Sequence, residues 1–363
     1  MPFVEKEHVV QNQESKKPAV SASIRIAMLA LLAAILTLGT SALAQQLPPT
    51  GYLSFDAPNS GTGSNQGTYP NAINRYGWIG GTVVYSTGAS HGFLRKPNGA
   101  FIAVNPPGSL QSFVDAINDS DEAVGQFYGT SATYGFLRDA AGNYTQLAVA
   151  GADTTTATGI NGTGTIAGYE HDATGYHGFL WNASHGFTVF DVPGSQPGTT
   201  IVTAINGAGT VTGFYTGSSY YSHDFVRSWN GHFITFEPVS GGNHTASVAI
   251  NANSQTTGWG DDGQGGTYGF LRDVAGADTI FGASGAQGSA ASGINDSGVI
   301  AGYEFSDGGG DAPFERDESG NIIMITLPFS NTASVSTGIN QSGKIIGYYT
   351  DSAGANHGWV GAP

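Results

Sequence analysis

The chain has 363 residues, no cysteine, 11% charged side chains and a formal net charge of −15. That balance argues against nucleic acid and anionic lipid as partners, because both recruit Lys and Arg to neutralise phosphate. The lack of thiols excludes a disulfide framework, a cysteine metal site and a cysteine nucleophile.

Residues 1–44 read as a signal peptide. Lys16, Lys17 and Arg25 precede an apolar run from Ile26 to Leu38, and Ala42-Leu43-Ala44 supplies a small-residue cleavage pattern. The run is 13 residues long, too short to span a bilayer comfortably. The expected protein is exported, periplasmic or extracellular, with no membrane span after processing. Without the leader, 8 basic and 24 acidic residues remain. Residues 45–51 read as a short linker, and residues 52–363 as a single repeat-built domain.

The repeat is marked by Ile-Asn at Asn74, Asn118, Asn161, Asn206, Asn251, Asn295 and Asn340, spaced 43 to 45 residues apart. Each copy contains four short apolar segments separated by turn residues. The first ends in Ile-Asn and runs into a tight turn such as Asn295-Asp-Ser-Gly298, a β-hairpin signal. The second carries a Gly seven residues after the Asn: Gly81, Gly125, Gly168, Gly213, Gly258, Gly302 and Gly347. A Gly inside a strand marks close approach by another group. The third is the His/Tyr-Gly-Phe-Leu-Arg run, as in His91 to Arg95 and Tyr134 to Arg138. The fourth is an aromatic-apolar strand such as Phe187 to Pro193. No segment has the length or 3.6-residue period of an amphipathic helix.

Four antiparallel strands in about 44 residues is the blade of a β-propeller. The expected fold is an all-β, seven-bladed propeller of four-stranded blades. Tyr52 to Pro58 resembles a fourth strand, and the last repeat stops after its third. The N-terminal strand is therefore expected to complete the last blade beside His357 to Val360 and close the ring.

The His-Gly-Phe-Leu-Arg runs, coupled to Gly-Ile-Asn-x-x-Gly-x-Ile-x-Gly-Tyr, resemble the HAF family of extracellular repeat proteins. The resemblance spans about residues 52–363, with Gly92, Gly135, Gly178, Gly269 and Gly358 where the family has Ala. It implies an exported repeat protein and brings no catalytic residues.

In a repeat protein, residues shared by all copies explain the fold, and departures from the pattern are where function is sought. His91, His177, His223 and His357 alternate with Tyr134 and Tyr268 at one position, which reads as packing plus one hydrogen bond. Arg95, Arg138, Arg227, Arg272 and Arg316, often followed by Asp, read as structural Arg-Asp pairs. An aromatic column after the repeated Gly includes Tyr169, Trp259 and Tyr303. These residues, with Glu170 and Glu304, form the candidate ligand-binding set, although the column also suits packing between blades. Acidic loops between second and third strands place Asp261, Asp262, Asp307 and Asp311 as candidate ligands for Ca²⁺, the one cofactor considered; solvated acidic loops are the alternative. Gly-x-Ser-x-Gly, His-Glu-x-x-His and Gly-x-x-x-x-Gly-Lys motifs are all missing, so no catalytic residue is assigned.

The expectation is a monomeric, non-catalytic propeller that binds an extracellular or cell-envelope glycan or protein through loops on one face. A carbohydrate-active hydrolase or lyase with carboxylates near the central funnel is one alternative. A purely structural surface repeat protein is the other.

Overall fold

The computed structural model describes residues 51–282, 287–306, 309–329 and 331–362. The expected signal peptide, most of the linker and Asp307 lie outside them. The described residues are all β, with no helix among them. They contain no helix long and apolar enough to cross a membrane.

After β1 (Leu53–Phe55) the chain runs as successive four-stranded antiparallel meanders. The first is β2 (Gly67–Ile73), β3 (Ile79–Val84), β4 (Ser90–Arg95) and β5 (Phe101–Val104). The second is β6 (Gln111–Ile117), β7 (Ala123–Tyr128), β8 (Thr133–Arg138) and β9 (Tyr144–Leu147). The third is β10 (Thr154–Ile160), β11 (Ile166–Asp172), β12 (Gly175–Asn182) and β13 (Gly186–Phe190). The fourth is β14 (Ile201–Ile205), β15 (Val211–Thr216), β16 (Ser222–Arg227) and β17 (Phe233–Phe236). The fifth is β18 (Thr245–Ile250), β19 (Thr256–Asp261), β20 (Thr267–Arg272) and β21 (Asp278–Phe281). The sixth is β22 (Gly288–Ile294), β23 (Ile300–Ser306), β24 (Gly309–Arg316) and β25 (Ile322–Met324). Finally β26 (Ala333–Ile339), β27 (Ile345–Thr350) and β28 (Asn356–Gly361) pair in order, and β1 adds to β28 with Phe55 opposite Gly358. That is the pairing the repeat phasing predicts for the first strand. Parallel bridges between neighbouring meanders merge several of them into sheets of eight strands.

The core lies between consecutive units. Leu94 and Val104 of the first pack on Val114, Ala123 and Phe136 of the second. Ala167 of the third packs on Val202, Val211 and Phe225 of the fourth. Each unit alone would leave such a face wet, which is why the repeat must be stacked.

The Ile-Asn asparagine does more than tolerate a turn. Its side chain is buried in every copy, 3 to 6% exposed. In six copies Oδ1 accepts the N–H groups two and four residues on, as Asn74 does from Tyr76 and Trp78. In the seventh, Asn251 Oδ1 accepts the N–H of Gln255. Nδ2 then donates to the carbonyl of the next repeat's Asn at 3.0 to 3.5 Å, from Asn74 through Asn340, and Asn340 donates back to Asn74. The left-handed turn position falls three residues later, on Gly77, Gly164, Gly209, Gly298 and Gly343, and on Asp121 and Ser254 in the two copies that lack Gly.

The glycine seven residues after that Asn is kept for space. None of the seven copies has the positive φ that would require Gly on conformational grounds. At Gly168 an added Cβ would overlap the carbonyl oxygen of Thr156 and come within 2.8 Å of Phe179 Cζ. This close approach lies beside the β-bulge between Ala157 and Gly159. Gly168→Ala is expected to cost about 2–3 kcal/mol. Gly162→Ala, whose Cβ would meet nothing within 4 Å, is expected to stay near neutral. Urea denaturation of the two variants checks both, and equal midpoints would refute the packing role.

The repeated Arg-Asp pairs are not ion pairs with each other. Asp139, Asp273 and Asp317 instead accept backbone N–H groups of their own turns, from Asn143, Ala277 and Asn321. The guanidinium lies over an aromatic ring of the preceding fourth strand: Arg227 over Phe190 at 4.6 Å, Arg272 over Phe236 at 4.2 Å and Arg316 over Phe281 at 5.2 Å. Arg95 lies in the same way over Phe55 of β1 at 4.6 Å. Burial favours this geometry because the flat guanidinium sheds water more readily than an ammonium and gains from the ring face.

Candidate functional site

The shared histidine position carries one recurring contact. Its Nδ1 meets the residue that closes the fourth strand: Asn105 for His91, Asp191 for His177, Glu237 for His223 and Asp56 for His357, at 2.6 to 2.9 Å. These are side-chain clamps across the third and fourth strands, as packing plus one hydrogen bond predicts.

The third unit departs from this pattern. Register places Glu170 of β11 opposite His177 of β12. The equivalent of Glu170 is Val83, Phe127, Tyr215 or Tyr349 in four other units, and Gly260 or Glu304 in the remaining two. In two of those units the aromatic ring stands against the histidine, Tyr215 at 5.4 Å from His223 and Tyr349 at 4.9 Å from His357. Glu170 puts a carboxylate into that apolar slot. It is 3% exposed, and its Oε2 has no hydrogen-bond partner. Burial, then the neighbouring Asp172, push its carboxyl upward, with His177 and His171 opposing.

Three side chains converge here. Among the described residues, Glu170, Asp172 and His177 are the one group of three His, Cys, Asp or Glu whose ligating atoms lie within 4.8 Å of one another. Asp172 is the last residue of β11 and is held below the usual carboxylate range by the Thr174 hydroxyl and N–H, at 2.6 and 2.7 Å. His177 Nε2 faces Asp172 Oδ1 at 3.5 Å and the Thr174 hydroxyl at 2.8 Å. Beside them His171 pairs with Asp153 at 2.9 Å, and its ring lies 4.6 Å from that of Tyr176.

The other candidate residues are dispersed. Tyr169, Trp259 and Tyr303 stand half-buried on β11, β19 and β23, three separate units. Elsewhere in that column, Tyr348 meets Tyr69 of the first unit edge-on at 5.1 Å and Gln126 accepts the Thr156 hydroxyl at 2.7 Å, contacts made between units. Burial pushes the Tyr303 hydroxyl up to about 12. Glu304 is half-buried and raised by burial, with Ala312 where the third unit has His177.

Asp261 and Asp262 are engaged by their own loop and by the segment before β18. Asp261 accepts the N–H groups of Asn243 and Gly263, and Asp262 those of Gln264 and Gly266 plus the Tyr268 hydroxyl. Asp311 borders a depression of about 240 Å³ with Ile325, Leu327 and Thr332, and burial raises its carboxyl to about 6. The described members of the expected Ca²⁺ set thus lie on different units, Asp261 and Asp262 in the fifth and Asp311 in the sixth.

No protein-family model matches the sequence, and no curated protein matches it. Solved structures do resemble it. Virginiamycin B lyase from Staphylococcus aureus superposes with a TM-score of 0.54 at 13% identity, covering 86% of this chain and 99% of that one. The chain has a propeller-like fold. A puromycin hydrolase matches with a TM-score of 0.54 at 13% identity over 84% of this chain and 54% of that one. The BP39L lectin from Burkholderia pseudomallei matches with a TM-score of 0.51 at 13% identity over 80% and 95%. At such identity the likeness concerns the fold alone.

His177 and Asp191 are the members of this cluster that sequence reasoning passed over, because a position shared by His and Tyr reads as scaffold. The signal was one column away. A Glu aligned with Val83, Phe127, Tyr215 and Tyr349 marks a carboxylate on a face that is otherwise core.

Proposed function

We propose that the chain is an exported seven-bladed propeller, closed by β1, that binds a glycan through one end of its ring and performs no catalysis. The return of the asparagine relay from Asn340 to Asn74 supports closure, as does the placing of β1 between Trp359 and Arg95. Export rests on the apolar leader, and kinship with the HAF repeat proteins rests on the His-Gly-Phe-Leu-Arg runs.

The observation that carries the binding role is the pair Tyr220 and Tyr221 in the β15–β16 turn. Tyr220 is 77% exposed and Tyr221 44%, two adjacent aromatic side chains open to solvent. Tyr220 also holds φ at 65°, a conformation that costs a bulky residue on the order of 1–3 kcal/mol. Tyrosine faces stack on the C–H surface of a sugar while their hydroxyls take its polar edge. The segment around Thr199 joins this turn to the third unit, through Gln196 N–H to the Thr216 carbonyl and Thr200 N–H to the Tyr176 carbonyl. The polar third-unit hairpin therefore adjoins the tyrosines at the same end.

Tyr220→Ala with Tyr221→Ala is expected to weaken retention on a glycan array at least tenfold while leaving the melting temperature within about 2 °C. Full retention by the double variant, or no glycan retained by the native protein, would overturn this reading. New reducing ends appearing in a polysaccharide digest would replace it with a hydrolase.

A further inference from the structure

We infer that Glu170, Asp172 and His177 form a binding site for a divalent transition-metal ion of the Zn²⁺ class. Three observations carry this. The first is the buried, unpartnered oxygen. Glu170 is 97% shielded from solvent, and Oε2 has no donor in reach. A carboxylate oxygen left bare in a buried slot carries an unrelieved desolvation penalty, and a cation removes it.

The second is spacing. Ligands at 2.0–2.2 Å from a tetrahedral ion stand about 3.4 Å from one another. His177 Nε2 and Asp172 Oδ1 are 3.5 Å apart, and one ligating atom from each of the three residues lies within 4.8 Å of the others. A small rotation of Glu170 therefore completes three corners of a tetrahedron and leaves the fourth for water. The Thr174 hydroxyl, now 2.8 Å from Nε2, turns aside when the ion enters.

The third is the tautomer. Asp191 accepts His177 Nδ1–H, with both oxygens at 2.9 Å, so an ion that displaces the other ring proton meets the lone pair of Nε2, the nitrogen that faces Asp172. A carboxylate behind a metal-binding histidine both orients the ring and raises its basicity. A nitrogen ligand with two carboxylates favours Zn²⁺ and its neighbours over Ca²⁺, which prefers six to eight oxygens. The rival state of the same residues is an imidazolium held between Asp191, Asp172 and Glu170 with no metal at all.

The site is independent of the glycan proposal, since its ligands are distinct from Tyr220 and Tyr221 and its readout is the ion itself. Calorimetric titration of the full chain with ZnCl₂, and absorption spectra with CoCl₂, would test it. The native protein is expected to take up one ion per chain and to give the visible bands of a four-coordinate Co²⁺ centre. Glu170→Gln should weaken uptake at least tenfold. Asp191→Asn, which leaves every ligand in place, should weaken it by about 10–100-fold. Circular dichroism of both variants separates lost binding from lost folding. No uptake by the native protein, equal uptake by a folded Glu170→Gln variant, or a preference for Ca²⁺ over Zn²⁺ would overturn the inference.

Discussion

Removal of residues 51–58 is expected to be the most damaging small change in this protein. The segment buries Phe55, 8% exposed, beneath Arg95 at 4.6 Å and against Gly358, where any Cβ would come within 2.6 Å of the ring. It brings Asp56 to His357 at 2.9 Å, Ser54 to the Tyr349 hydroxyl at 3.0 Å and Tyr52 to Trp359 at 5.8 Å. Loss of one buried Phe alone costs about 3–5 kcal/mol. The truncation also bares the edge of β28. A decrease of more than about 5 kcal/mol, or roughly 10–20 °C in melting temperature, is expected. The site of damage matters as much as its size. Phe55 touches the first unit through Arg95 and Phe101, while Ser54 and Asp56 touch the last. Its loss should therefore cost more than loss of an internal fourth strand's share of contacts. A melting curve unchanged by the truncation would contradict the closed-ring proposal.

Most of the scaffold was legible because each repeat states the same physics again. A Gly seven residues after each Asn could be read as a close approach, and Thr156 and Phe179 supply it at Gly168. The order and pairing of the strands followed from the turn residues. The partners of the repeated polar groups did not. Asn74 reaches a carbonyl 44 residues away, and Arg227 finds a ring in the preceding fourth strand. Neither distance along the chain is visible in a local pattern, so the Asn was read as a turn former and the Arg as the partner of an adjacent Asp. The candidate site was legible in part for the same reason. Glu170 stood out as acidic, but its meaning depends on His177 across the hairpin and Asp191 on the next strand. Asp261 and Asp262 were equally acidic in sequence, yet backbone N–H groups of their own loop and of Asn243 before β18 occupy them.

Asp224 should make the native protein less stable as pH rises from 4 to 8. It stands where the other units have Gly or Pro, opposite Phe214 on β15, and is fully buried. Its oxygens accept the Thr245 hydroxyl and the Ser247 N–H at 2.5 Å each, tying β16 to the first strand of the fifth unit. Those bonds favour the carboxylate, but burial outweighs them and raises the carboxyl from 3.8 to about 7. The folded chain therefore holds this proton more tightly than the unfolded chain does. Its contribution is full below about pH 4 and is lost as pH climbs through 7. At about 1.4 kcal/mol per pH unit over roughly three units, the loss approaches 4 kcal/mol. Asp224→Asn removes the charge and keeps the shape. Its Oδ1 still accepts Ser247 N–H, its amide donates to Thr245 Oγ1, and the threonine hydroxyl turns to the Trp259 carbonyl, already 3.1 Å away. The variant should be the more stable protein at pH 8 and show a flatter pH profile. Urea midpoints for both proteins at pH 5 and pH 8 measure this. Glu170, Glu304 and Asp311 are also raised by burial but are present in both proteins, so the difference between the two profiles belongs to Asp224. Parallel profiles would mean that Thr245 and Ser247 hold the charged form well enough to cancel the burial.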